Sequence, residues 1–425
     1  MKRKTIRMLL TAVLAAAVFL LSGCSTFDSF RQTFISNQSS DEPVITIGVI
    51  EPQTGRYAQK GKDEIKGIEL ANSIYNNVDG YKVKLVKVDT QSTVSGTKTA
   101  IQALIEMKPV AIIGSAGEAS SLTICDYVDD AGIPAITPSA TNPLVTQNNS
   151  FYFRACLTES QMGEGLAEYA AKELGSTKIG VISIKNDTST SALLEGFDDR
   201  IKKIAGKRSR AVVMTQEIMP TEDEMKAALR SMSAAGVDVC FVSMGSEEMD
   251  TFFTNAEQMG LDNVTYLGTR SWGDPSFITM MKKHRGIKVV FPYESVLTKS
   301  DDTSETYTEE AQRFQIEYAN RYGADDTPTE NAALGYDSYL LLINAFHNAK
   351  TDDGAAIRQA MLDFDGIKCA TGLFSFDSNG NVKRAVTLST IKGDKPVTEY
   401  VTEKEAKAKV LEDIEPSEGE SSSGQ

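Results

Sequence analysis

Short apolar runs alternate with amphipathic stretches along most of the chain, most clearly from Val110 to Pro143. The run Val110–Ile113 is typical of a strand buried on both faces, and it stops at Gly114. Apolar residues then recur three apart from Leu122 to Ala131, which predicts a helix, and Ile133–Thr137 predicts the next strand. This stretch therefore predicts a βαβ unit with a short loop of small residues after each strand.

The same alternation continues on both sides of this unit and predicts the fold class. Further strands are predicted at Val44–Ile50, Tyr81–Asp89, Phe151–Ala155, Lys178–Ile184, Arg210–Met214, Val237–Ser243 and Thr265–Leu267. Helices are predicted around Ile65–Tyr75 and at Thr97–Met107, Gly163–Leu174, Ser191–Ala205, Glu222–Ala235, Met249–Gly260, Thr306–Arg321 and Glu330–Ala349. Such alternation predicts an α/β fold whose parallel sheets carry helices on both faces. The scheme restarts near residue 151, which predicts two similar lobes.

The C-terminal part is predicted to complete a sheet edge and then to lose regular structure. Val386–Ile391 and Val397–Tyr400 are the predicted edge strands. Residues 403–425 are rich in Glu, Lys and Ser with few apolar positions, which predicts a disordered tail.

The N-terminus has the pattern of an export signal. A basic segment, Lys2–Arg7, precedes the apolar segment Met8–Leu21, which is shorter than the roughly 20 residues that a membrane-spanning helix needs. Leu21–Cys24 reads LSGC and resembles a bacterial lipobox, which implies cleavage after residue 23 and acyl chains on Cys24. We expect a lipoprotein signal peptide at 1–23, a polar tether at 24–43 and a protein held on the outer face of the cell membrane. The alternative is an ordinary secretory peptide with an incidental cysteine.

Composition and charge limit the number of lobes and the kinds of molecule that this protein is expected to bind. A chain of 425 residues exceeds one ordinary core, so two lobes are expected. The formal net charge is −14, and the first 23 residues carry four cations and no acid, so the remainder is more acidic still. Such a surface repels phosphate backbones and argues against nucleic-acid binding. One Trp and 8% aromatic residues argue against a large aromatic-lined surface.

The four remaining cysteines, Cys125, Cys156, Cys240 and Cys369, form no CxxC and have no His at metal-ligand spacing. Cys125 lies on the apolar stripe of a predicted helix, and Cys240 lies inside the apolar run VDVCFV. Buried free thiols are the preferred interpretation, and one disulfide stays an alternative. No metal site is predicted.

Two loops are predicted to lie together at one rim of a cleft. Ser115–Ser120 and Pro138–Pro143 each follow a predicted strand of the same βαβ unit. In open α/β sheets ligands bind beyond the carboxyl ends of the strands, against helix N-termini. We expect a recognition site made of backbone N–H groups and hydroxyls, although a Ser-Ala-Thr turn also caps helices without any ligand.

Several short motifs, in this order and spacing, resemble the leucine/isoleucine/valine-binding proteins, which are type I periplasmic binding proteins that serve ABC importers. The resemblance covers roughly residues 44 to 400. The motifs are Ile47–Val49 before Thr54, Gly55 and Gly61, then Gly67–Ala71, Ala111–Gly114, Gly132–Pro134, Thr137–Pro143, Phe153–Arg154, Gly268 with Trp272, Tyr336–Asp337 and Phe374–Asp377.

The resemblance implies a clamp of two Rossmann-like lobes, joined by three crossovers, that closes on a small solute. Lobe 1 is expected at 44–158 and 294–385, and lobe 2 at 159–293 and 386–402. The crossovers are expected near Leu157–Glu159, Pro292–Ser295 and Asn381–Val386. The implied function is delivery of an amino acid or similar small polar solute to ABC permease subunits. The alternative is a sensor that presents its ligand state to a membrane signalling partner.

The resemblance also implies a set of ligand-binding positions. They are Lys60, Ala116, Gly117, Glu118, Ser139, Ala140, Thr141, Glu159, Ser189, Gly245, Arg270 and Trp272. Thr141 matches the family's hydroxyl that holds the ligand's α-carboxylate, and Ser139 matches a backbone contact. Thr188 is the alternative to Ser189, because the alignment there is uncertain by one residue. Trp272 has packing within the family as its alternative role.

Several of these positions depart from the family pattern in charge. Glu118 stands where a Ser or Thr usually contacts the ligand's carboxylate, Arg270 stands where an acid usually pairs with its ammonium, and Lys60 replaces an aromatic residue. Either Arg270 and Lys60 bind an anionic group while Glu118 and Glu159 receive a cationic or hydroxylated one, or the charges are structural. In the second case Glu118 faces the helix dipole and Arg270 pairs with an acid such as Asp274. A leucine-like ligand is therefore not expected.

An enzyme is not expected. The two histidines, His284 and His347, fall in no metal or nucleophile–base motif. No GxGxxG follows the first strand, so no dinucleotide cofactor is expected. Glu118 and Glu159 as an acid/base pair is a weak alternative, because nothing marks a scissile substrate.

Overall fold

The computed structural model describes residues 42–147, 149–187, 190–205, 211–293 and 308–402. The predicted signal peptide, Cys24, nearly all of the predicted tether, Ser189 and the predicted tail lie outside the described residues. Among the described residues, no helix is both long and apolar enough to cross a membrane.

The first sheet has six strands in the spatial order β2-β3-β1-β4-β5-β6. They are β1 (Val44–Glu51), β2 (Asn77–Val78), β3 (Tyr81–Asp89), β4 (Ala111–Ile113), β5 (Ala135–Thr137) and β6 (Tyr152–Arg154). All neighbours are parallel except β2, which pairs antiparallel with β3. β1 lies centrally and is almost entirely buried, whereas β3 nearer the edge is half exposed, as its period-two pattern predicts.

The second sheet has seven strands in the order β15-β14-β11-β10-β9-β7-β8. They are β7 (Ile179–Ile184), β8 (Val212–Ile218), β9 (Val239–Ser243), β10 (Thr265–Leu267), β11 (Lys288–Pro292), β14 (Thr387–Lys392) and β15 (Lys395–Val401). Strands β7 to β11 are parallel to one another, and β14 and β15 add an antiparallel edge. A separate antiparallel hairpin, which the sequence pattern did not predict, is formed by β12 (Asp365–Cys369) and β13 (Gly372–Ser375).

The helices divide between the two sheets. The first lobe, built on the first sheet, carries α1 (Ala58–Ile74), α2 (Val94–Glu106), α3 (Glu118–Ala131), α9 (Glu309–Tyr322), α10 (Glu330–Ala349) and α11 (Gly354–Leu362). The second lobe, built on the second sheet, carries α4 (Glu159–Glu168), α5 (Ser191–Ala205), α6 (Glu222–Ala235), α7 (Ser246–Gln258) and α8 (Pro275–Met281). The α/β prediction of two lobes with mainly parallel sheets is confirmed.

Helix α10 is the central buried helix of the first lobe. Most of its residues are inaccessible to water, as expected for a helix that is apolar almost all round. Glycines let it approach α1 closely: a methyl group built on Gly67 would lie 1.8 Å from the carbonyl oxygen of Ala332. A methyl group on Gly335 would lie 2.3 Å from the carbonyl oxygen of Glu64. This contact fixes the start of α10 beside α1.

One prediction about the lobes is wrong. The parallel scheme does not restart near residue 151, because β6 pairs with β5 and completes the first sheet. The second sheet begins with β7, after α4. A three-residue strand carries no mark of which sheet it joins, since that depends on pairing with a distant strand.

The four cysteines among the described residues, Cys125, Cys156, Cys240 and Cys369, are free and buried. Burial raises the pKa of Cys125 to about 12 and that of Cys156 to about 11. These thiols are neutral packing groups, as the preferred interpretation of the sequence has them.

Candidate functional site

A cleft of about 290 Å³ lies between the two lobes. On the first-lobe side are the loop after β5 and the N-termini of α3 and α10, and on the second-lobe side are the N-terminus of α4 and the turn after β10. The residues that line it are Lys60, Glu118, Ser139, Thr141, Glu159, Met162, Thr190, Leu193, Thr269, Arg270, Ser271, Asp274, Glu330 and Asn331. The cleft thus lies where carboxyl ends of parallel strands and helix N-termini meet.

The structure brings half of the twelve predicted ligand positions to this cleft. Those that line it are Lys60, Glu118, Ser139, Thr141, Glu159 and Arg270. Ala116 and Ala140 are buried close behind the rim, and Gly117 is half-buried at the start of α3. Gly245 is an exposed residue at the start of α7 and does not line the cleft.

Trp272 lies in the core of the second lobe rather than at the cleft. Its indole is fully buried and stacks on Phe277, with ring centroids 4.8 Å apart. The indole N–H donates to the carbonyl oxygen of Met244 at 3.1 Å. Because the ring is enclosed on all sides, the prediction of a ligand contact is wrong and the packing alternative holds.

Glu118 accepts hydrogen bonds from the loop after β5. Its carboxylate accepts hydrogen bonds from the backbone N–H of Thr141 at 2.9 Å and of Asn142 at 3.1 Å. The Thr141 hydroxyl also donates to Glu118 at 3.3 Å. Glu118 is the first residue of α3, so it also lies favourably against that helix's N-terminal dipole. The glutamate therefore faces into the cleft and holds the loop, and does not simply point to solvent.

Two further glutamates, Glu51 and Glu64, accept hydrogen bonds from donors that lie behind the rim. The backbone N–H of Ala116 donates to Glu51 at 2.6 Å, and the Ser139 hydroxyl donates to Glu64. Both carboxyls are fully buried and hydrogen-bonded to each other. Burial, followed by the charge of Glu64, holds the pKa of Glu51 well above its ordinary value. Two buried carboxyl groups this close together repel each other when both are charged, which adds to the effect of burial on the pKa of Glu51.

Neither buried glutamate was among the predicted site residues, although Glu64 carries a signal in the sequence. It lies on the same helical stripe as Gly67, Ile68 and Ala71, at spacings of three, four and seven residues. An acid on a buried stripe is expected to have a specific partner.

Arg270 forms an ion pair across the cleft. Its Nε donates to Glu330 Oε2 at 2.7 Å, and the two side chains are 21% and 7% exposed. Glu330 begins α10 in the first lobe, and Arg270 lies in the turn after β10 in the second. The sequence alternative named Asp274 as the partner, and the structure gives Glu330 instead.

Glu159 lies at the N-terminus of α4, close to Glu118 of the other lobe. Burial and then the charge of Glu118 raise its pKa to about 7, while Arg270 and a hydrogen bond with Thr141 act in the opposite direction. The two carboxylates approach the same Thr141 hydroxyl from opposite lobes. This geometry places two carboxyl groups, one from each lobe, beside one hydroxyl of the cleft.

Arg154, which belongs to the Phe153–Arg154 motif and was not among the predicted ligand positions, holds the rim loop from the side of the core. Its fully buried guanidinium donates to the carbonyl oxygens of Ala140 at 3.0 Å and Asn142 at 2.6 Å. The loop is thus held by Arg154 through its carbonyls and by Glu118 through its N–H groups.

Within the part of the chain that the structure describes, no group of three or more His, Cys, Asp or Glu residues is arranged to hold a metal ion.

The sequence of residues 44–396 matches the family model of the periplasmic binding proteins, and the chain belongs to this family. Its members are solute-binding proteins of transporters, not enzymes.

Individual relatives support the same assignment. An amino acid binding protein of Pseudomonas aeruginosa is 28% identical over 222 residues, which are 51% of this chain and 58% of that protein. The chain therefore spans less than two thirds of that relative. A Leu/Ile/Val-binding protein homologue of Brucella melitensis is 23% identical over 80% of this chain and 88% of its own. The structure is similar to that of a leucine-binding protein of Thermotoga maritima, with a TM-score of 0.66, 25% identity and coverage of 84% of this chain and 98% of that one.

Proposed function

We propose that this chain is an extracytoplasmic, lipid-anchored solute-binding protein that delivers a small polar solute, amino-acid-like in size, to an ABC importer. The observation that carries the proposal is the cleft itself, whose lining comes from both lobes. A solute bound there contacts both lobes at once, so its binding favours closure of one lobe on the other. Because the relatives named above are amino-acid-binding proteins, amino acids are the first solutes to test.

The lobes of the proposed clamp are 44–158 with 294–385 and 159–293 with 386–402. Among the proposed ligand contacts, Lys60, Glu118, Ser139 and Thr141 come from the first lobe, and Glu159 and Arg270 from the second. Met162 and Leu193 add a small apolar wall on the second-lobe side. A site of this kind takes a compact solute with polar groups and a short hydrocarbon part.

Native mass spectrometry of the purified full chain tests whether it is a solute carrier. We expect a co-purified small molecule that is lost on unfolding and dialysis. A thermal-shift screen of the refolded protein should then identify solutes that raise its melting temperature. A chain that carries no small molecule and gains no stability from amino acids, amines, short peptides or organic acids would contradict the proposal.

Anchoring through Cys24 is tested separately. In cells fed labelled palmitate, the Cys24→Ser variant should lose its label and move from the membrane fraction to the soluble fraction. The neighbouring Ser25→Ala variant, which retains the cysteine, should keep both. A labelled, membrane-bound Cys24→Ser variant would disprove the anchor and leave solute binding untouched.

A further inference from the structure

The donors at the rim of the cleft are already used by carboxylates of the chain. Thr141 and Asn142 donate to Glu118, Ala116 donates to Glu51 and Ser139 donates to Glu64. A loop of N–H and hydroxyl groups at the carboxyl edge of a parallel sheet is a ready anion site. In this protein the anion at that site is the carboxylate of Glu118, which accepts hydrogen bonds from Thr141 and Asn142.

A carboxylate of a solute would have to compete with Glu118 for the backbone N–H groups of Thr141 and Asn142. Displacing Glu118 would leave a charged side chain without its three hydrogen bonds, and placing two carboxylates together in a partly dry cleft is repulsive. Among the described residues that line the cleft, two are basic, Lys60 and Arg270. Four are acidic, namely Glu118, Glu159, Asp274 and Glu330. Arg270 is also engaged by Glu330 at 2.7 Å.

A positively charged group finds the opposite situation. Glu118 on the first lobe and Glu159 on the second line the same cleft together with Thr141, whose hydroxyl donates to Glu118 at 3.3 Å. A cation between them offsets their repulsion and forms charge-assisted hydrogen bonds to both. Met162 and Leu193 also line the cleft and offer apolar contacts to a short hydrocarbon chain.

We propose that the cleft selects an organic cation, an aliphatic amine or guanidine, whose charged group lies between Glu118 and Glu159, and that it rejects the corresponding α-amino acid. This inference rests on the proposed function, since it names the class of solute for the same cleft. It also assigns a role to the charge: because the two glutamates belong to different lobes, the cation that joins them draws the lobes together. Glu118 thus has two functions, holding the rim loop and selecting the charge of the solute.

Matched pairs of compounds that differ only by a carboxylate test this selection. Cadaverine with lysine, agmatine with arginine, and isopentylamine with leucine are each titrated calorimetrically into the full chain, purified in detergent and freed of bound solute. We expect at least one amine to bind ten-fold or more tightly than its parent amino acid. An amino acid that binds as tightly as its amine would overturn the inference while leaving solute binding in place.

Three variants separate charge from fold. Glu118→Gln keeps the shape and part of the loop contacts, and it should weaken amine binding at least ten-fold. Glu118→Ser should also free the N–H groups of Thr141 and Asn142, so its affinity for the parent amino acid should rise. Glu106→Ser, at the exposed end of α2, should bind like the wild type. Unchanged amine binding in Glu118→Gln would sink the assignment.

Binding of neither compound class to the wild type also overturns the cation assignment. The native mass spectrum of the protein as purified then decides the proposed function independently. A bound molecule of another class keeps the solute carrier, and an empty spectrum counts against both.

Discussion

The guanidinium of Arg270 in the second lobe is paired with the carboxylate of Glu330 in the first, with 2.7 Å between Nε and Oε2. Both side chains are mostly shielded from water, and the pair lines the same cleft as Glu118 and Glu159. Because its partners come from different lobes, it is one of the bonds that must rearrange if the lobes separate. It therefore links the stability of the protein to the state of the cleft.

Removing one partner of this pair should destabilise the protein markedly. In Arg270→Gln, Glu330 keeps a nearly buried charge without its main counter-ion, and losses of about 3 kcal/mol are typical of such changes. Urea unfolding of wild type and variant measures the difference in unfolding free energy. The double variant Arg270→Gln/Glu330→Gln should recover part of the loss. Lys226→Gln, which breaks an exposed pair on α6, is the control and should cost less than about 1 kcal/mol. Equal costs for the two single variants would contradict the buried role of Arg270.

Glu159 should make the protein less stable as the pH rises. Its pKa is raised to about 7 in the folded chain by burial and by Glu118, against an ordinary value near 4.5, so the folded state holds a proton that the unfolded state has released. Stability contributed by this site is therefore complete below about pH 4.5 and is lost as the pH rises through 7. The groups that act on it are Glu118, Arg270, Asp187 and the Thr141 hydroxyl.

Thermal melts across this pH range test that dependence. Glu159→Gln should match the wild type near pH 5 and melt several degrees higher at pH 8. Glu173→Gln, an exposed glutamate at the end of the same helical segment, should leave the difference between the two pH values unchanged. A Glu159→Gln variant with the pH profile of the wild type would show that the site is already ionised.

Gly67 should tolerate no side chain. A methyl group there would lie 1.8 Å from the Ala332 carbonyl oxygen, which forces α1 and α10 apart. The overpacking cost of about 1–3 kcal/mol should exceed the roughly 1 kcal/mol that alanine gains over glycine in a helix. Gly286→Ala, in a turn where nothing lies within 4 Å of the added methyl group, is the control for the absence of steric conflict. Denaturant midpoints of both variants decide the point, and a Gly67→Ala protein as stable as the control would refute the close packing.

Asp337 should be required for the docking of the β12–β13 hairpin on α10. Its buried carboxylate accepts from the backbone N–H of Ala370 at 2.7 Å and of Thr371 at 2.9 Å, and from the Thr371 hydroxyl at 2.6 Å. Asp337→Asn replaces one accepting oxygen by a donor that faces another donor, which should cost about 1–3 kcal/mol. Asp363→Asn changes an exposed carboxylate and should be nearly silent in urea unfolding. A silent Asp337→Asn would mean that the hairpin is held by its apolar contacts alone.

Much of the fold was predictable because apolar periodicity reports which faces are buried. The strand Thr265–Leu267 and the helix Glu330–Ala349 have the predicted bounds. The sheet to which β6 belongs was not predictable, since strand pairing joins residues far apart in sequence. Trp272 shows the same limit: a motif fixes its position in the chain, but only the packing of Phe277 and Met244 around it shows that it is buried.

The sequence by itself determined the order of strands and helices, the family, and the two loops that form the rim of the cleft. These features depend on local periodicity and short motifs, which a linear pattern retains. It also raised the question of charge, because Glu118 and Arg270 stand at positions where the family has other residues. Only the tertiary structure decided which groups meet: Glu118 with Thr141 and Asn142, and Arg270 with Glu330. The physical reason is that hydrogen bonds and ion pairs act over a few ångströms, and the fold alone brings residues 23 to 60 positions apart to that distance.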